Sequence, residues 1–187
     1  MGLDIDIVTD NYQEIEEIYS GDFFHKHSLS RQFCNLMFRE ASVGHEAELD
    51  QIGKITNVDI SIIYQIMGYP DEESLEFELG LAKTEEEKQK ILSNAEEARA
   101  KLKNNLDKVL QIVTSLIEKL SKLENLNKLL LPTAYDMLDA EYYFSDFNTD
   151  KGDGYIGNNF GQDLRNFKRF LEFAKENGAK TVVVFFL

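Results

Sequence analysis

84-TEEEKQKILSNAEEARAKLKNNLDKVLQIVTSLIEKLSKL-123 carries the strongest periodic signal in the chain. Thr84 followed by Glu87 is a capping box, in which the hydroxyl takes an orphan N–H and the carboxylate reaches back to the cap. From there Ile91, Ala95, Ala98, Leu102, Leu106, Val109, Val113, Leu116, Leu120 and Leu123 recur in steps of four and three. Apolar residues at that spacing line one helix face and make a heptad seam. The reading is one long helix over about 84–122. Leu110, Ile112 and Ile117 widen the apolar face. That favours packing in a bundle or helical hairpin over a free coiled coil. The seam needs a partner, and three candidates offer one: a helix at 30–40, the segment 123–131, or a second copy in a homodimer.

The two chain ends read differently. In 3-LDIDIV-8, Leu3, Ile5 and Ile7 alternate with Asp4 and Asp6, the pattern of a strand with one wet face. In 181-TVVVFFL-187, six consecutive apolar residues, mostly β-branched or aromatic, read as a strand buried on both faces. These two strands are expected to pair. Between them the helical signals recur. Ser28 or Ser30 caps a helix over 30–40 that buries Phe33, Leu36 and Met37. Acids at 46–50 open another, and Asp59 starts a third that stops before Pro70. The stretch 71-DEESLEFELGLA-82 begins with three acids, which suit the positive end of a helix dipole. Thr133 caps a helix ending near Phe144. Leu164, Phe167, Phe170, Leu171 and Ala174 share the face of a helix over 162–177 that stops at Asn177-Gly178. The fold class is therefore α+β and mostly helical. The 187 residues make a single domain, 1–187, with an acidic first half (1–82) and a helical middle (84–144).

Charge is one-sided. The net charge is −14, and residues 1–82 hold 17 acids against 4 bases. Such a field repels nucleic acid and attracts basic surfaces. Asp71, Glu72, Glu73, Glu76 and Glu78 are the densest acidic group and the candidate contacts to a basic protein partner. No apolar run reaches the roughly 18 residues of a membrane span. The opening residues lack the form of a signal peptide, and Asp6 stands where a myristoylation signal wants Ser or Thr. With Cys34 the single cysteine, a reducing, cytoplasmic setting is expected.

The densest oxygen cluster is 146-DFNTDKGDGYIGNN-159. Asp146, Asn148 and Asp150 fit positions 1, 3 and 5 of a calcium loop, with Asp153 beyond them. Position 6 is then Lys151 rather than Gly, and position 12 is Gly157 rather than a bidentate Glu. The alternative is turn chemistry, with Asn158 or Asn159 capping the final helix. No Lys-Ser/Thr pair accompanies the glycines, against a phosphate loop. His25, His27 and Cys34, with His45 nearby, are a second metal candidate, for zinc, though their spacing matches no tight zinc signature. Phe33 beside Cys34 instead suits a core thiol. Asp4 and Asp6 share a strand face and admit Mg²⁺ or acid–base chemistry, or simply solvation.

MGLDIDI at the start, 27-HSLSRQFCNLM-37 and 142-YYFSDFNTDKGDGYIGNNFGQDLRNFKRFL-171 together resemble a group of small uncharacterised bacterial proteins. The resemblance implies a bacterial or phage-like cytosolic origin and no particular activity, fold or site. On the residues themselves two functions are expected. The first is an acidic protein that binds and blocks a partner, of the immunity or anti-defence type, without a cofactor. The alternative is a metal-binding module or metal-dependent enzyme built on the 146–153 loop or the His25/His27/Cys34 group.

Overall fold

Two helices, not one, carry the heptad seam. The computed structural model describes residues 5–18, 29–37, 46–131, 140–153, 155 and 157–186. The described residues form strand β1 (Ile5–Thr9), then helices α1 (Tyr12–Ile18), α2 (Arg31–Met37), α3 (Glu48–Thr56), α4 (Ser61–Met67) and α5 (Glu72–Leu81). There follow α6 (Glu85–Leu102), α7 (Leu106–Leu120), the short α8 (Leu126–Leu129) and α9 (Ala140–Tyr143), α10 (Phe160–Glu176) and strand β2 (Val182–Phe186).

The expected helix over 84–122 is corrected at residues 103–105. α6 opens on the Thr84–Glu87 capping box and ends where Lys103 turns extended and Asn104 adopts a left-handed φ of 59°. Asn tolerates that conformation better than most residues. The physical reason for the break lies in β2. Buried Asn105 donates its side-chain N–H to Val182 O and accepts the Val182 N–H, both at 2.8 Å. Leu106 N–H donates to Lys180 O, and Asn104 N–H to Thr181 Oγ1. These bonds replace the helical ones that the break forfeits.

Downstream of the break the seam is the centre of the core. Leu106, Val109, Val113, Leu116 and Leu120 are all buried. Their main partner is α10, which buries Leu164, Phe167, Phe170, Leu171 and Ala174. The expected partners, a helix at 30–40 or the segment 123–131, are thus corrected. α10 supplies the surface because its own apolar stripe is as long as that of α7. Upstream, α6 buries only Ala95 and Leu102 and packs on α5 and α4.

β1 and β2 pair antiparallel, from Ile5 opposite Phe186 to Thr9 opposite Val182. Asp10 closes the end of this ladder by accepting the N–H groups of Lys180 and Thr181. α4 covers β2, and buried Val182, Val183 and Val184 join the same core as α7 and α10. α2 is capped by Ser30 and buries Phe33, Leu36 and Met37, as the sequence indicates. Asp59 starts α4 by accepting the Ser61 N–H. The helix expected from Thr133 is described only at its end, as α9. No helix among the described residues is long and apolar enough to cross a membrane.

Candidate functional site

α5 and α6 form a hairpin that stands off the core. No residue of α5 is buried. The helix forms because Asp71 caps it, accepting Ser74 N–H (2.8 Å) and Ser74 Oγ–H (2.7 Å). The Ser74 N–H, before any other cause, holds the Asp71 carboxyl below its ordinary range, so it is ionised. Leu75 and Leu79, four apart, are half-buried and suit the contact with α6. Phe77 and Leu81, also four apart, are 69% and 65% exposed.

Acids differ between the two helices. On α6, Glu85 pairs with Lys88 and Glu97 with Lys101. On α5, no base pairs with Glu72, Glu73, Glu76 or Glu78 among the described residues. Residues 71–82 contain no base at all. The helix itself therefore carries only negative charge, with Lys83 and Lys90 beside Glu78 and Arg99 across the cleft from its other acids.

Between α5 and the sheet lies an open cleft of about 1110 Å³. Its half-buried wall includes Tyr69, Arg99 and Phe185; Phe77, Ser74 and the acidic residues Asp71, Glu72, Glu73 and Glu78 also line it. Glu76, the fifth expected contact, is exposed on the same helix but does not line the cleft. Arg99 ties the hairpin to the body. Its Nε and one terminal N–H donate to Pro70 O at 3.0 and 2.7 Å, and its guanidinium lies 5.8 Å from the Tyr69 ring centre. Tyr69 in turn stacks on Phe185 of β2, 5.8 Å between centres. The acidic group was legible in the sequence. Phe185 and Tyr69 were not, because only the fold brings β2 beside residue 71.

The 146–153 loop is arranged otherwise. Arg169 of α10 donates to Asp150 Oδ2 at 2.6 Å and pairs with Asp153 Oδ1 at 2.9 Å. Asp150 Oδ1 accepts the Gly152 N–H. Burial pushes the Asp150 carboxyl up, but the Gly152 N–H and Arg169 outweigh it and hold it below its ordinary range. Asn148 turns its amide to Ser121 O (3.1 Å), while Asp146 sits at a left-handed φ of 48°. The loop is further held by α10 through Gln162, which accepts Lys151 N–H and donates to Gly152 O, and through Asn166, which donates to Tyr155 O. Asn159 caps α10. The candidate oxygens of Asp150 and Asp153 thus face a guanidinium, and the loop has the geometry of a packed turn.

Cys34 is buried in α2, as a core thiol is. Asp6 lies half-buried in β1. His25, His27, His45 and Asp4 lie outside the described residues. Among the described residues no group of three His, Cys, Asp or Glu is placed to hold a metal ion.

One polar cluster had no clear sequence signal. Asp163, fully buried in the first turn of α10, accepts Ser30 N–H (2.8 Å), Ser30 Oγ–H (2.6 Å) and Tyr143 O–H (2.8 Å). Burial pushes its carboxyl up to about 6, against these hydrogen bonds. Burial, with Asp163 beside it, likewise raises the Tyr143 phenol, which stays a donor. The cluster joins α2, α9 and α10 and lines neither the cleft at α5 nor the 146–153 loop, so it reads as a structural joint. No family model matches the chain, and neither a curated protein nor a solved structure shows significant similarity to it.

Proposed function

We propose that this chain is an acidic interaction protein that docks on a basic surface of a protein partner through α5 and blocks that partner, in the manner of an immunity or anti-defence protein. The observation that carries the reading is a helix with no buried residue, four glutamates unpaired among the described residues and two large exposed apolar side chains. Such a helix contributes little to the core, so its composition is best accounted for by what it meets outside the chain. Unpaired acids speed and steer encounter with a basic surface, while exposed ion pairs individually add little affinity. Phe77 and Leu81 supply the apolar contact that affinity then requires.

The test is capture of partners by the intact chain beside a variant with Glu72, Glu73, Glu76 and Glu78 changed to Lys. A basic partner retained by the parent chain should be lost by the variant and released as salt rises. Its own activity should fall when one equivalent of the parent chain is added. Equal capture by both forms, or capture indifferent to salt, overturns the proposal.

A further inference from the structure

We infer that the cleft between α5 and β2 receives a basic amphipathic helix of the partner, seated by an apolar side chain among Phe77, Tyr69 and Phe185. The inference rests on the docking reading and specifies the occupant. A volume of about 1110 Å³ exceeds that of an ordinary small-molecule site. A helix about 10 Å wide rising 5.4 Å per turn fills roughly 400–600 Å³ per turn, so the cleft has room for roughly two turns.

The lining decides the chemistry. Four acidic residues line the cleft; Asp71 is engaged on Ser74, which leaves Glu72, Glu73 and Glu78, and among the described residues the one lining base, Arg99, is engaged on Pro70 O and the Tyr69 ring. A second copy presenting the same face would bring like charge to like charge, which disfavours that pairing. A uniformly charged basic surface would satisfy the carboxylates and leave Phe77 in water. A purely apolar helix would desolvate the carboxylates without pairing them. An apolar stripe flanked by Lys and Arg satisfies both, in the helix-in-groove mode of recognition.

Two fluorescein-labelled peptides of equal charge test this: a Leu/Lys amphipathic peptide and a Gly/Lys peptide without an apolar stripe. Anisotropy is read against the parent chain, Phe77→Ser, the pair Glu73→Lys with Glu78→Lys, and Glu86→Gln, which lies outside the cleft. The Leu/Lys peptide should bind the parent chain more tightly than the Gly/Lys peptide. Phe77→Ser should weaken the Leu/Lys peptide by about tenfold or more and leave the Gly/Lys peptide unchanged. The double charge reversal should weaken both, and Glu86→Gln neither. If both peptides bind the parent equally and Phe77→Ser changes nothing, the cleft assignment falls while the acidic docking face stands. If neither binds, both fall. If sedimentation shows a dimer of the parent chain that Phe77→Ser dissolves, the occupant is a second copy and the inference is overturned. Phe77 is largely exposed, so its variant should fold; an unchanged Tm checks this.

Discussion

Replacing Asp163 by Asn should remove a pH dependence of stability with a definite sign. The folded chain holds a proton on Asp163 up to about pH 6, whereas an ordinary Asp carboxyl titrates at 3.8. Between those values the folded state binds more protons than the unfolded state. Stability contributed by the protonated group is therefore complete below the lower value and is lost as pH rises through the upper one. A window of roughly two pH units corresponds to about 3 kcal/mol over its whole width, and roughly half of it falls above about pH 5. That upper half is the accessible part, since the pI is ≈ 4.6 and solubility is lowest there. Asn matches the shape of Asp and does not titrate: its oxygen can accept the Ser30 N–H, and the cost of turning its amide toward the Ser30 and Tyr143 hydroxyls, which donate to Asp163, is the same at every pH. Urea unfolding of both forms at several pH values gives the stability of the variant minus that of the parent chain. Carboxylates with depressed values, such as Asp71 and Asp150, act in the opposite direction but cancel in this difference. The difference should move in favour of the variant by about 1–1.5 kcal/mol between about pH 5 and about pH 7.5. A difference that is flat, or that moves the other way, refutes the assignment of a buried, proton-retaining carboxyl.

Three further outcomes are expected. Asn105→Ala leaves the N–H and C=O of buried Val182 without their side-chain partner and should cost roughly 2–4 kcal/mol in denaturant unfolding; a loss below about 0.5 kcal/mol would mean water replaces it. Gly161→Ala would place a methyl group 2.1 Å from Phe147 O, a backbone atom with little room to yield, so Tm should drop by the equivalent of about 1–3 kcal/mol or more. Calcium added to EDTA-treated protein should leave Tm unchanged, because Arg169 already engages the carboxylates of both Asp150 and Asp153; a rise of several degrees would show the loop exchanging Arg169 for the ion.

The seam was legible because apolar spacing is a local property of the chain. Its break was less so, although two signals mark it: the adjacent Asn104 and Asn105, and a double step of four from Ala98 through Leu102 to Leu106 where the pattern wants a three. What makes the break stable is β2, which Asn105 reaches across 77 positions, and periodicity cannot see that. The same limit applies to α10. Asn159, Gln162, Asn166 and Arg169, three or four residues apart, read as a wet helix face, yet they bind Ser145, Lys151, Tyr155 and Asp150 respectively. Polar residues at helical spacing look alike whether water or backbone satisfies them. Of the cleft, the acids of 71–78 could be seen in sequence, but the aromatic wall was assembled by the fold.

The pairing of β1 with β2 bears on the order in which the molecule assembles. Asp10 and Lys180, which meet at the end of the ladder, are 170 positions apart. Closing a loop of that length costs about 4–5 kcal/mol of chain entropy beyond a constant, and a two-stranded ladder returns little until the core behind it exists. The local hairpin of α5 and α6 can form early, whereas α7 must wait for α10 and the break at Asn104 must wait for β2. The pair on Asn105 needs Val182 in place 77 positions away, which puts this bend among the joints with the longest loop to close.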